Sequence, residues 1–290
     1  MAIKDYNPFA KRSEFNSKSL YAYKILTIIT WLLVIIVGIL HTFWAPDAGK
    51  GPHKHTIWGQ NRHFRTPFGL NVLVTSIYWI VLLILQGVYI FHLWSANTEW
   101  VTSAANVGSH FIFNNLCIFG FIMCYVRGFF WPGELILIAN LINQTFLYFR
   151  HSKTPRFIHI GAVSGPLTWS YVAIFWNGAT MVHAHSLAAR IVANVFVWSW
   201  LGFGLFYLAI FKDYTVGLEM AILSLSLALA QFATHIVALQ WEFATAIAAV
   251  LLFLSLAVGI PGLFGKDVNF RHSQSVVSED RERQPLLDDQ

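Results

Sequence analysis

Charged residues are scarce in this chain, and their scarcity decides the class of protein. Only 11% of the 290 residues are Asp, Glu, Lys or Arg, whereas 56% are hydrophobic, and the mean hydropathy is +0.56. An ordinary soluble domain carries about 25% charged residues. The composition therefore excludes a soluble enzyme and indicates an all-α, polytopic membrane protein whose first partner is the lipid bilayer.

Cysteine and concentrated basic charge are lacking as well. The two cysteines, Cys117 and Cys124, lie in one apolar segment, roughly 10 Å apart along a helix, so they cannot form a disulfide with each other. The net charge is +5, but the Lys and Arg residues are spread over the segments between apolar runs. Without a basic patch, no nucleic-acid partner is predicted.

Long apolar runs are abundant, and each can cross about 30 Å of hydrocarbon. Eight spans are predicted, near residues 22–44, 68–94, 106–126, 133–149, 158–180, 188–211, 215–238 and 241–264. Only a short stretch around Gln240 separates the last two, so seven spans is the alternative. The domain plan is an N-terminal segment 1–21, a bundle 22–264 with a His-rich loop at 45–66, and a tail 265–290.

The Lys and Arg distribution predicts the orientation of the bundle. With eight spans both termini share one side, which then carries thirteen Lys and Arg residues against six on the other. Basic residues favour the cytosolic side, so both termini are predicted to be cytosolic. The basic loop at 45–66 is the exception to this pattern.

Amide and imidazole groups inside apolar spans predict a polar interior. Such groups are costly in hydrocarbon and usually face the bundle interior or a cavity. The alternative is hydrogen bonding between helices that only holds the bundle together. The predicted ligand-binding cavity is lined by His110, Asn114, Asn115, Asn140, Asn143, Asn177, Asn194, Gln231 and His235.

Histidines also cluster between the spans. The loop at 45–66 holds His53, His55 and His63, and the pair His183 and His185 follows the fifth span. Side chains two residues apart face the same way in an extended loop, which suits a metal site or a proton-sensitive loop. Three or four metal ligands are not assured, and histidines near span ends do not suit a bis-histidine haem, so no cofactor is predicted.

The tail carries a possible sorting signal. Glu282 precedes Leu286 and Leu287 by four and five residues, which resembles the acidic dileucine signal that clathrin-adaptor complexes recognise. The tail is polar and poor in apolar residues, so it is predicted to be disordered and able to present both leucines. This motif predicts adaptor complexes as partners and a vacuolar, lysosomal or endosomal membrane as the location.

Four segments carry a resemblance to a known family. They are HTIWGQNRHFRTPFGLN at 55–71, AANVGSHFIFNN at 104–115, PRFIHIGAVSGPLTW at 155–169 and FWNGATMVHAHSLAARIVANVFVW at 175–198. Together they resemble a fungal family of multi-spanning membrane proteins of unknown function, sometimes labelled as ATP synthase. The resemblance implies a fungal endomembrane protein. A rotary ATP-synthase role is not expected, because no span is predicted to hold a carboxylate or Arg at mid-membrane.

A weaker resemblance is to the androgen-inducible family of membrane lipid hydrolases, which use an intramembrane Thr and a His. It implies a dyad of Thr75 with His183 or His185. The leading hypothesis is a transporter or small-molecule binding protein with an Asn- and His-lined interior. The alternatives are this lipid hydrolase and a membrane scaffold without catalytic activity.

Overall fold

Polar caps set the starts of several helices. The computed structural model describes residues 7–50, 54–151, 154–184 and 186–263. In it, four side chains accept hydrogen bonds from backbone N–H groups in the first turn of the helix that follows: Asn16, Asn71, Asn97 and Asp213. These N–H groups have no partner within the helix, so the caps stabilise its first turn. The cap at Asn16 explains why the first helix begins five residues before the predicted span.

In the described residues, ten of eleven α-helices form eight long rods. The helices are α1 Ser17–Phe43, α2 Ile57–His63, α3 Val72–His92, α4 Thr98–Tyr125, α5 Phe130–Arg150, α6 Arg156–His159, α7 Gly165–Met181, α8 Leu187–Phe196, α9 Trp198–Phe211, α10 Tyr214–Thr234 and α11 Gln240–Leu263. A π-helix, Ile160–Ser164, joins α6 to α7, and we call this unit the α6–α7 rod. Helices α8 and α9 meet at Val197 and form another rod.

Seven of these rods are long and apolar enough to cross a membrane, which confirms the predicted polytopic helical membrane protein. The eighth, α5, is about 31 Å long at ~1.5 Å per residue. It has the length of a span but carries Glu134, Asn140, Asn143 and Gln144 on its buried side. The last two predicted spans are separate helices, because His235 and Leu239 adopt left-handed backbone conformations between α10 and α11.

The α6–α7 rod is the most enclosed span, since 72% of its most apolar 18-residue window is buried. Pro166 lies at its centre, where a proline ring clashes with the carbonyl four residues earlier in an α-helix. The π-helix just before Pro166 widens the turn, so the rod continues past the proline. The rod packs closely on α3 at a glycine: a Cβ added to Gly161 would lie 2.6 Å from the Leu85 carbonyl oxygen of α3.

The two ends of the bundle differ. At one end, here called the N-terminal face, residues 8–12 pack on α4 and α5, and Arg150 donates to the Phe9 carbonyl. At the other end, the loop face, α2 folds back onto the bundle. Gln60 donates from Nε2 to the Tyr125 carbonyl at 2.9 Å, and Gln231 donates to the Thr66 carbonyl at 3.1 Å.

Candidate functional site

Five polar side chains form a hydrogen-bonded chain across four helices, which we call the polar ladder. Asn140 of α5 donates from Nδ2 to Asn114 Oδ1 at 2.8 Å and to Ser170 Oγ of α7 at 2.9 Å. Asn114 donates to Asn115 Oδ1 at 3.3 Å, and Asn115 reaches Thr30 Oγ1 of α1 at 3.5 Å. All five are buried. The ladder therefore ties α1, α4, α5 and α7 together in the interior.

His110 lies one turn from the ladder, towards the N-terminal face. Asn143 donates from Nδ2 to the His110 carbonyl, so its Oδ1 faces the ring and accepts from Nδ1 at 2.7 Å. The proton on Nδ1 leaves Nε2 as a bare acceptor, and this buried atom has no hydrogen-bond partner in the described residues. The ring centroid of His151 is 6.3 Å away. Burial first, and then the neighbouring His110, Lys11 and Arg150, lower the pKa of His151 to about 4, which keeps its imidazole neutral.

Asn177 belongs to a different group, near the loop face. Its Nδ2 donates to Glu134 Oε2 at 2.8 Å and to the Phe130 carbonyl at 2.9 Å. Its Oδ1 is buried and lacks a hydrogen-bond partner in the described residues. Asn177 therefore fixes the start of α5 against α7 and does not take part in the polar ladder.

The remaining predicted cavity residues lie elsewhere. Gln231 is buried but holds the Thr66 carbonyl, so it anchors the returning segment. Asn194 of α8 donates to the Ala238 carbonyl at 2.8 Å and so fastens the turn before α11. His235 is exposed at the end of α10 and contacts Phe232. The structure brings together five of the nine predicted residues: His110, Asn114, Asn115, Asn140 and Asn143.

The proposed Thr–His dyad is not assembled in the described residues. The hydroxyl of Thr75 shares a hydrogen bond with Ser226 Oγ of α10 at 2.8 Å. His183 stacks on Phe64 of the loop face, with ring centroids 5.7 Å apart. His185 lies outside the described residues. Thr75 thus joins α3 to α10 through a hydroxyl pair.

An apolar cleft of about 340 Å³ lies beside the polar ladder, in the half of the bundle near the loop face. Residues from α1, α2, α3, α4 and α7 line it. Its rim is formed by Ile39 and Phe43 of α1 and Ile80 of α3, each more than half exposed, so the cleft opens on the outer surface between α1 and α3. Thr75 and Ser76 are among the few polar residues that line it.

Aromatic rings form the wall of this cleft. Trp169 is the centre of the wall, with ring centroids 5.1 Å from Trp79 and 5.9 Å from Trp176, both at steep interplanar angles. Trp176 also contacts Trp58 of α2 and Tyr125 of α4, at 6.2 and 4.6 Å. Edge-to-face contacts of this kind hold rings in place. The wall is therefore formed before any ligand binds.

The His-rich loop face offers no group of three or more His, Cys, Asp or Glu side chains suited to a metal ion within the described ranges. His55 and His63 contact each other, with ring centroids 4.6 Å apart. His53 lies outside those ranges, and so do the sorting residues Glu282, Leu286 and Leu287.

Three acidic groups that were not among the predicted site residues are buried. They are Glu134, Glu219 and Asp213. Asp213, in the turn between α9 and α10, pairs with His159 Nε2 at 2.7 Å and accepts from Tyr148 at 2.9 Å. Burial raises the pKa of Asp213, but the hydrogen bond and charge of His159 outweigh it, and the pKa falls to about 2. Glu134 and Glu219 lie near the ends of their predicted spans, and only the packing of neighbouring helices reveals their burial.

Comparison with known proteins finds similar sequences among fungal proteins. A family model described as "Fungal protein of unknown function (DUF1774)" matches residues 190–287. An uncharacterised protein of Schizosaccharomyces pombe is 26% identical over 195 residues, which cover 67% of this chain and 61% of that protein. No solved structure matches. These matches confirm the resemblance to a fungal family of unknown function: the chain is similar to fungal proteins of unknown function.

Proposed function

We propose that this membrane protein binds an apolar small molecule that enters the cleft from the bilayer, and that this binding is the first step of carrying or presenting it. The observation that carries the proposal is the preformed tryptophan wall around a 340 Å³ cleft. Small-molecule sites are typically apolar, largely preformed and about 300–1,000 Å³ in volume. The cleft lies at the lower end of that range.

The position of the cleft defines the chemistry of its ligand. Its rim lies between α1 and α3 on the surface that faces lipid, so a molecule dissolved in the bilayer reaches it without crossing water. Its lining is almost wholly apolar; the Thr75 hydroxyl is bonded to Ser226, and Ser76 offers a hydroxyl for one polar group of the ligand. A fatty-acyl chain or a sterol-like ring system with a single hydroxyl or carboxyl fits this description.

The polar ladder supports this function by holding the walls of the cleft. It joins α1, α4 and α7, and each of these helices lines the cleft as well. Hydrogen bonds between membrane helices contribute about 0.6 kcal/mol each on average. Several in series fix the spacing of the helices, so the ligand meets a rigid site and loses less binding free energy to ordering.

Photolabelling tests the proposal. The protein in lipid nanodiscs is irradiated with a diazirine-bearing fatty acid or a diazirine-bearing sterol, and the adducts are mapped by peptide mass spectrometry. We expect saturable labelling of cleft peptides that unlabelled probe competes away. Trp79→Ala and Trp169→Ala should lower it several-fold. Trp131→Ala, at an exposed tryptophan outside the cleft, is the matched control.

Ordinary annular lipid gives a different pattern. Labelling by both probes that is spread over all lipid-facing helices and does not saturate would refute a specific site. Equal labelling of the Trp169→Ala and Trp131→Ala variants would refute it as well.

We also propose that the protein resides in a vacuolar or endosomal membrane and reaches it through adaptor complexes that bind the cytosolic tail. The support is the sequence Glu282 to Leu287. Imaging of a tagged protein tests this: changing Leu286 and Leu287 to Ala should move it to the cell surface. An unchanged location would rule out the motif as the signal.

A further inference from the structure

Two carboxyl groups are buried inside the bundle, and both face the α6–α7 rod. Glu134 of α5 and Glu219 of α10 are each 8% exposed. Their partners on the rod are Asn177 for Glu134, and Ser164 with Thr168 for Glu219. An ionised carboxylate in an apolar interior is costly unless a cation or several donors compensate it.

Glu134 receives limited compensation. Asn177 donates to its Oε2, and a Cβ added to Gly178 would lie 3.2 Å from its Oε1, so the helix backbone adjoins this oxygen. Arg127 is a charged residue in the turn before α5, and its side chain donates to the Met123 carbonyl. From α4, Cys124 lies beside the same junction. Asn177 Oδ1, buried and without a partner in the described residues, is an acceptor still available there.

Glu219 is bonded by two hydroxyls, since Ser164 donates to Oε1 and Thr168 to Oε2, both at 3.0 Å. From α3, Tyr78 donates to the Gly165 carbonyl close by. Asp213, which caps the start of the same helix, is also acidic, and His159 balances its charge. In the described chain the hydrogen-bond partners of Glu219 are these two hydroxyls, and neither carries a charge.

The π-helix explains how one rod contacts both Asp213 and Glu219. Residues five apart on an α-helix diverge by about 140°. A π-helix bonds each residue to the fifth one along, which returns that residue to nearly the same face. His159 directly precedes the Ile160–Ser164 segment and contacts Asp213, the residue that caps α10, whereas Ser164 ends the segment and contacts Glu219 of α10. The π-helix therefore places His159 and Ser164 on the side of the rod that meets α10 and the turn before it.

We propose that Glu134 and Glu219 are proton-binding sites, one towards each face of the membrane. Each carboxyl group holds a proton, so it is neutral and needs no neighbouring cation. Glu219 exchanges its proton with the N-terminal face through the Asp213–His159 pair, and Glu134 exchanges its proton with the loop face. The ligand is the proton itself, and the inference does not depend on the apolar cleft.

Carbodiimide labelling tests this, because dicyclohexylcarbodiimide reacts with protonated carboxyl groups in apolar surroundings. The full chain in nanodiscs is treated at several pH values, and adducts are located by mass spectrometry. We expect adducts at Glu134 and Glu219 that decline several-fold as the pH rises. The exposed Glu242 of α11 is the matched control and should stay unlabelled.

A second measurement does not require the reagent to reach the buried carboxyl groups. Infrared spectra should contain a protonated-carboxyl C=O band that weakens in Glu134→Gln and in Glu219→Gln but not in Glu242→Gln. Absence of both the adducts and the Gln-sensitive band would overturn the proposal. Protection from the reagent by Na⁺ at constant pH would overturn it too, since it would identify a sodium site.

Discussion

At the scale of single residues, Asp213 illustrates what burial does to an ion pair. Its side chain is 8% exposed and that of its partner His159 is 14% exposed. A second carboxylate–cation contact joins Asp47 to Lys54, and there the side chains are 64% and 36% exposed. Exposed pairs contribute little, whereas removing one partner of a buried pair is costly.

We therefore predict that Asp213→Asn lowers the free energy of unfolding by about 2 to 3 kcal/mol. The pKa of Asp213 is lowered from 3.8 to about 2, so its stabilisation is complete above pH 3.8 and is lost as the pH falls towards 2. Denaturant titration of the purified protein at neutral and acidic pH measures this. The difference between wild type and variant should vanish at the acidic end.

The exposed pair provides the control for that experiment. Asp47→Asn should leave the unfolding midpoint unchanged at neutral pH. An Asp213→Asn variant as stable as Asp47→Asn, or a difference that persists at pH 2, would contradict the role given to the buried pair.

At the scale of elements, Gly161 is the position where α3 packs closely against the α6–α7 rod. A methyl group at Gly161 would meet the backbone of Leu85, which cannot move aside as a flexible side chain would. Crowding a packed interior typically costs about 1 to 3 kcal/mol.

Gly161→Ala should accordingly destabilise the protein by that amount and loosen α3 from the α6–α7 rod. Gly202 of α9 is the matched control, because a Cβ added there meets nothing within 4 Å. Gly202→Ala should be neutral or stabilising, as Ala favours a helix over Gly by about 0.5 to 1 kcal/mol. Equal unfolding midpoints for the two variants would refute the close packing of α3 on Gly161.

Sequence periodicity predicted the rods and part of the polar interior. The stripe of His110 and Asn114 on α4 is buried as expected, because a polar face in an apolar helix has few other places to go. The positions and contacts of Asn194 and His235 depend on short turns beyond their helices, which sequence periodicity does not describe. The partner of each polar face also depends on which helices become neighbours.

At the scale of the whole molecule, eight rods place both ends of the described chain on the N-terminal face. The apolar cleft emerges only at this scale. Its wall takes one or two residues from each of several helices, and Trp79 or Trp169 alone is an ordinary apolar position of a span. No local pattern in the sequence marks such residues, because their common property is their position around a shared space.

The central claim is that the cleft between α1 and α3 holds a specific apolar molecule. The most direct measurement is a high-resolution cryo-electron microscopy map of the protein in nanodiscs made with fungal lipids. We predict one well-defined, elongated density against Trp79, Trp169 and Trp176 that is stronger than the surrounding lipid. A cleft closed by contact between α1 and α3, or filled only by density as weak as that of annular lipid, would contradict the claim.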